Sequence, residues 1–469
     1  MAERIVINPL TRISGFLELD ADVQNNVVVD ARSEGMLFRG FEHILKGRHP
    51  FDAIFLTERI CGICSTAHSI ASSMALEETL GVVVPEQGRY LRDILHGSEY
   101  LQNHIRHFYQ MSVPDYVRMP EKTALFESEN KEYRIPREEN DRIVTNYFES
   151  LQYSRDAHEM VAVLGGKAPH NHGIFVGGAI SNPTADKILK IKALLLGITE
   201  FINNRMIPDV STIARYYSDY FKMGGGYGYF LSYGCFNGYR DLGTLYVDPL
   251  TYMDGKISAF DQKYITENID FSWYKDKMNT TTPYESITEP DVNKAGAYSW
   301  VKAARYRGLA FEVGPLARQW LSGEYRNGVS ALDRTIARVM ETKKVAQIVG
   351  VLLDQLQPGE GIQCTYEVPE TGQGSGLLDT TRGALGHWLK IEDRVICFYQ
   401  IIPPSVWNLS SQTRNLKGTV EQALIGTRVR DNKNPSELGI IVRSFDPCVS
   451  CATHVYSGNG EPGTFMVVP

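Results

Sequence analysis

The stretch RICGICSTAH, residues 59–68, sets two cysteines three apart and follows them with a histidine, in a 469-residue chain with only seven cysteines. At the other end, DPCVSCATH at 446–454 repeats the spacing with Cys448 and Cys451 and again adds a histidine, His454. A C-x-x-C turn points both sulfurs the same way, so two such turns brought together by the fold can give four thiolates to one centre. The pairs bracket nearly the whole chain, and the intervening sequence must return its end to its beginning.

A structural Cys₄ zinc site is the plainer alternative. Zinc knuckles usually lie within some tens of residues of each other, and a chain this long has little need of a zinc staple. Each pair is also flanked by more polar groups than a closed tetrahedral site uses: Glu58, Arg59 and His68 on one side, Asp446 and His454 on the other. A soft thiolate site can instead hold nickel or iron, with redox change and open coordination positions. The remaining cysteines, Cys235, Cys364 and Cys397, are scattered and read as small buried hydrophobes. An odd count in a large chain argues against a disulfide framework.

Composition sets the outer bounds. Hydrophobic residues at 43% and charged residues at 22% describe a globular protein with ample interior. A formal net charge of -7 offers no basic field for phosphate backbones, so no nucleic-acid partner is expected. No apolar run reaches the roughly 20 residues of a membrane span. The first residues, MAERIVINPLTRISG, lack the apolar core of a signal peptide, so the expectation is synthesis in the cytoplasm without a signal of its own. The final site is then expected to be cytoplasmic, or membrane-associated or exported alongside a signal-bearing partner.

Residues 4–35 alternate apolar and polar side chains and predict a small antiparallel sheet. Residues 87–110, 141–166, 185–206 and 329–356 carry helical spacing over lengths well above the average helix. Residues 223–293 are rich in Gly and Tyr and read as hairpins and loops; their glycine run lacks the pattern of a phosphate loop. The fold class is therefore α+β, mainly helical, with a long-helix bundle core and small peripheral sheets. No linker or repeat divides the chain, so residues 1–469 read as one domain.

With these residues in hand, the chain resembles the large, catalytic subunit of nickel-iron hydrogenases over nearly its whole length. RICGICSTAH is similar to the family's first motif and DPCVSCATH to its last. Between them lie MLFRGFEHILKGRHPFDA (36–53), HFYQMSVPD (107–115), GGKAPH (165–170), YSWVKAARYRGLAFEVGPLAR (298–318), RGALGHW (382–388) and PPSVWN (403–408). The resemblance implies a Ni-Fe centre whose iron carries cyanide and carbon monoxide. Cys61 and Cys448 would be terminal thiolates on nickel, and Cys64 and Cys451 would bridge to iron. Dihydrogen would split heterolytically, with the Cys448 thiolate and Arg382 as candidate bases, Arg382 serving rather as an electrostatic and positioning group because a guanidinium stays protonated. Arg382 would hang over the open site, oriented by Asp115 and Asp446. Ser405 would hydrogen-bond a cyanide, and His68 would donate to a cysteine sulfur. Glu58, His454 and the carbonyl near Ile401 would hold a second, hard cation, usually magnesium.

Two departures stand out. The family's R-I-E-G-H reads TRISGF here, with Ser14 in place of the glutamate taken as the first proton carrier; a serine hydroxyl can pass a proton along but cannot hold charge, so a water-filled route or another carboxylate must substitute. Residues 455–469 match a tail usually cut off by a maturation protease once nickel-insertion factors have acted. No cysteines remain for clusters, so an iron-sulfur small subunit is the implied partner, joined to a membrane cytochrome or a soluble electron-transfer module. A dihydrogen sensor with the same centre is the alternative, and a metal-free structural relative is disfavoured by the four cysteines.

Overall fold

Residues 3–120, 132–275 and 280–449 are described by a computed structural model. The alternating N-terminal stretch forms β1 (Glu3–Ile7), β2 (Leu17–Gln24) and β3 (Val27–Gly35), paired antiparallel in that order. Asn25 and Asn26, both at positive φ, close the tight turn between β2 and β3.

Two short helices, α1 (Phe41–Leu45) and α2 (Asp52–Glu58), lead into the long ones: α3 (Ser65–Leu80), α4 (Glu86–Arg106), α5 (Arg137–Gly165), α6 (Ala185–Phe201), α7 (Ile207–Tyr216), α8 (Pro315–Ser322) and α9 (Ala331–Gln355). The four helices predicted from spacing are all present. α4 sits at the centre, packed on α5 and α9, and is buried around most of its circumference. It runs on into a wide π-type turn at His107–Ser112, and α6 does the same at Ile202–Met206 before α7. Gly81 ends α3 in the left-handed conformation, its N–H bonding the carbonyls of Glu77 and Glu78. Ser330 starts α9 by accepting the Asp333 N–H at 3.0 Å.

The Gly- and Tyr-rich region and its surroundings form small antiparallel units, as expected. After the hairpin β4 (Ile174–Phe175) and β5 (Gly178–Ala179) come β6 (Phe230–Ser232), β7 (Leu250–Met253) and β8 (Lys256–Ala259). In the next unit β9 (Ile265–Asn268) lies between β10 (Thr280–Thr281) and β11 (Ala303–Tyr306).

A further sheet was not visible in the spacing. β12 (Gly372–Thr380), β13 (Gly383–Glu392) and β14 (Val395–Ile402) pair antiparallel, and β13 is buried on both faces over most of its length. A strand covered on both faces loses the alternation that marks a half-exposed one. This sheet packs in the interior against α3, through glycines on β12. A Cβ on Gly376 would lie 1.9 Å from the Ala71 carbonyl oxygen, and one on Gly374 would lie 2.3 Å from that of Ala75. Three short helices, α10 (Pro404–Asn408), α11 (Thr419–Leu424) and α12 (Ser436–Ser444), carry the chain back to the start of α3. One continuous apolar core runs from Ile5 to Val449.

Candidate metal centre

Cys61 lies in the turn after α2, and Cys64 is the residue that opens α3. Cys448 follows α12 and is held against the N-terminal segment by a parallel bridge: the Ser14 N–H donates to the Pro447 carbonyl at 3.2 Å, and the Val449 N–H to the Ser14 carbonyl at 2.8 Å. The segments around Ser14 and Cys448 thus meet at the start of α3. The Sγ atoms of Cys61, Cys64 and Cys448 lie within 4.8 Å of one another, with Cys61 and Cys448 only 3.3 Å apart, and all three are buried. That contact is too long for a disulfide. Three soft donors converging out of water form the donor set of a thiophilic transition metal. Cys451 and His454 lie outside the described residues.

Over the sulfurs stands Arg382, in the turn between β12 and β13 and 2% exposed. Its Nε donates to the Asp446 carbonyl at 2.9 Å, and one Nη pairs with the Asp446 carboxylate at 3.1 Å and donates to Asn103 Oδ1 at 3.0 Å. Asn103 Nδ2 completes the ring by donating to the other Asp446 oxygen at 2.8 Å. Burial works against the Arg382 charge, but Asp446 and the three cysteine sulfurs outweigh it and hold the guanidinium protonated. Burial likewise opposes Asp446, while Arg382, His107 and Arg338 keep its carboxyl well below the usual range. The turn itself is fixed from behind by Arg318. This fully buried side chain forks onto Glu341 at 2.7 Å through two nitrogens and donates to the carbonyls of Thr380 and Thr381.

Asp115 is not where the resemblance led us to expect it. Its carboxylate is gripped by Arg443 at 2.8 and 2.9 Å and by Arg12 at 2.5 Å, so it clamps α12 to the N-terminal segment rather than orienting Arg382. Asn103, on α4, occupies the orienting place. A search for carboxylates passes over an amide, and only its position on the inward face of α4 could have revealed it. Arg106, one turn further along that helix, was also missed: its Nε and one Nη are buried without a hydrogen-bond partner, and it interacts electrostatically with Cys61 and Cys448.

Ser405, at the start of α10, accepts the Cys448 N–H at 3.1 Å, leaving its own O–H to donate. His68 is buried in the first turn of α3, and its Nδ1 meets Nε2 of His387 at 3.1 Å, which continues to the Tyr399 hydroxyl at 2.8 Å. Burial lowers the His68 pKa to about 4 despite the Cys448 charge, so the ring is neutral. Glu58 is fully buried; Arg59 donates to one oxygen at 3.2 Å, and Oε1 has no hydrogen-bond partner. An orphaned buried carboxylate oxygen is what an oxygen-coordinated divalent cation would satisfy. Ile401, opposite His387 in the sheet, lines a small cavity of about 20 Å³ with Ile60, Glu267, Lys302 and Gln400. The scattered cysteines stand apart: Cys235 is buried beside Tyr100, whereas Cys364 and Cys397 are only half-buried, contrary to the reading of all three as core hydrophobes.

Fold and site together define an enzyme built around a buried metal–thiolate centre. The sequence model of the family described as nickel-dependent hydrogenase matches residues 39–125, 120–328 and 320–454. The chain is 36% identical to the periplasmic [NiFeSe] hydrogenase large subunit of Desulfomicrobium baculatum, over 98% of this chain and 96% of that one. It is 30% identical to the hydrogenase-2 large chain of Escherichia coli K12, over 98% and 99%. The Ni-Fe-Se hydrogenase structure from D. vulgaris Hildenborough superimposes with a TM-score of 0.93 at 38% identity, covering 97% of this chain and all of that one. The chain belongs to the nickel-dependent hydrogenase family. It is a catalytic large subunit, an oxidoreductase of dihydrogen with a Ni-Fe centre, and a large subunit implies a small one. The sensor alternative draws no support from these relatives.

Two points qualify the likeness. Two of these relatives are named for selenium, whereas this chain carries cysteine at all four motif positions. The expectation left the final site cytoplasmic, or membrane-associated or exported with a partner; its cytoplasmic arm is corrected, since the Desulfomicrobium relative is periplasmic by name.

Proposed function

We propose that Cys61, Cys64, Cys448 and Cys451 hold a nickel–iron centre whose iron carries cyanide and carbon monoxide, and that Glu58, the Ile401 carbonyl and His454 hold magnesium beside it. The convergence of three buried sulfurs from opposite ends of the chain carries this reading. Bound there, the centre supplies the Lewis acidity and redox capacity for heterolytic cleavage of dihydrogen. The protein's own groups do the rest. Cys448, close to Cys61 and to the N-terminal segment, accepts the released proton on sulfur. Arg382 stays charged, offsets the anionic thiolates and is too firmly protonated to act as the base. Asp446 and Asn103 fix its planar fork. The Ser405 hydroxyl is available to donate to a cyanide ligand, and the neutral His68 ring has its second nitrogen free of His387 for a sulfur.

Electrons leave through an iron-sulfur small subunit, with which the enzyme is exported to the periplasm, and onward to a membrane cytochrome or a soluble module. The chain acts as one domain, 1–469, whose residues 455–469 a maturation protease removes after nickel insertion. Intact mass of the mature subunit then ends at His454, and an active, nickel-loaded subunit retaining the tail would refute processing. Cys61→Ser tests the ligand set: a neutral hydroxyl in place of an anionic soft donor abolishes nickel retention and activity. Full nickel and parental hydrogen uptake in that variant would overturn the assignment.

A further inference from the structure

Among the described residues, no carboxylate forms an ion pair with Arg106, and its Nε and one Nη are buried with no hydrogen-bond partner. It is the last residue of α4, between two side chains that both face Asp446: Asn103 Nδ2, which donates at 2.8 Å, and His107 Nε2, which lies 3.9 Å away. The stripe of α4 it stands on offers no anion. One turn before it and one turn after it, Gln102 and Gln110 turn their amide nitrogens to Ser154 at 3.4 Å and Ser150 at 2.8 Å, both on α5. His158, further along α5, has its pKa lowered by burial and by Arg106 itself, which favours the neutral ring.

Burial and the like charge of Arg382 both work against the Arg106 charge, whereas Asp446, Cys61 and Cys448 favour it. Asp446 is already matched by Arg382 at 3.1 Å. The two sulfurs are the anions left for Arg106. A guanidinium is costly to bury unless an anion compensates it, and an aliphatic side chain would fill a contact between helices with no such penalty.

We propose that Arg106 is a counter-ion of the thiolate centre, its charge set against the Cys61 and Cys448 sulfurs so as to raise the reduction potential of the metals they hold. The inference rests on the nickel–iron reading of the site. On that reading four thiolates already cancel two divalent metal ions, so cyanide on the iron leaves the whole centre negative. A cation nearby then favours the electron-rich state. Arg382 stands over the same sulfurs, but together with Asp446 it makes a pair of little net charge. The role of Arg106 is electrostatic and is exerted through the sulfurs.

The test uses the purified heterodimer and reads metal content, the infrared stretches of carbon monoxide and cyanide, and the midpoint potential of the nickel spin-resonance signal. Arg106→Met keeps the reach of the side chain and removes its charge. It is expected to keep nickel and iron, to move the carbon monoxide stretch to lower wavenumber as the iron becomes more electron-rich, and to move the nickel midpoint to lower potential. Arg106→Lys restores the charge and brings both readings back toward the parent. An arginine that only packs α4 against α5 would alter stability or turnover and leave both readings in place. A parental or upward position of either reading in metal-replete Arg106→Met overturns the proposal. An equal downward shift in Arg106→Lys does so too, since shape and not charge would be the cause. Should Arg106→Met lose its metals, retention in Arg106→Lys decides: parental nickel and iron there support the need for a cation, and their loss there refutes it. A parent heterodimer without nickel removes the nickel–iron reading itself, before any variant is compared.

Discussion

Arg382 concentrates at one side chain the electrostatics of the centre. It is held by a carboxylate, an amide and a carbonyl, and its charge is stabilised by the sulfurs beneath it. A planar guanidinium can satisfy these partners at once; an ammonium is a point charge on a flexible stem. Arg382→Lys is therefore expected to keep its metals and lose activity by orders of magnitude, measured as hydrogen oxidation per nickel. Near-parental turnover in the metal-replete variant would remove Arg382 from the mechanism. At this scale the sequence was most readable where a motif fixes a residue, as at Cys61, Cys64 and Arg382. It misled at Asp115, because the expectation sought a carboxylate while the fold supplies Asn103. Arg106 carries no motif; only the burial of its guanidinium nitrogens distinguishes it from other helical charges.

Among the elements, α3 matters most, because it starts at Cys64 and fixes the direction of that sulfur. It can lie close to β12 only because Gly374 and Gly376 present no side chain to it. A methyl group at Gly376 has no space against the Ala71 carbonyl, so α3 or the sheet must move. Overpacking of this kind costs about 1–3 kcal/mol. Gly376→Ala is expected to lower the thermal midpoint of the heterodimer by several degrees and reduce its nickel content; an unchanged midpoint would show that the contact is not limiting. The long helices were legible from their period, whereas β12–β14 were not, since two-sided burial of β13 erases alternation. The glycines spaced by two in GQGSG were the available signal for this packing.

On the scale of the whole molecule, the structure joins the N-terminal segment around Ser14 to the last motif at Cys448. Ser14 bridges Cys448, and Asp115 ties Arg12 near the first residues to Arg443 just before the last motif. The repeated C-x-x-C spacing implied this closure, but the clamp that enforces it pairs residues hundreds of positions apart and leaves no local trace. If closure exists to assemble a four-thiolate centre, its metal content is the direct test. Elemental analysis of the purified native heterodimer, corrected for the iron of the small subunit, is predicted to give about one nickel and one iron per large subunit, with no stoichiometric zinc. Stoichiometric zinc with nickel absent, in protein from nickel-replete cells, would contradict the account.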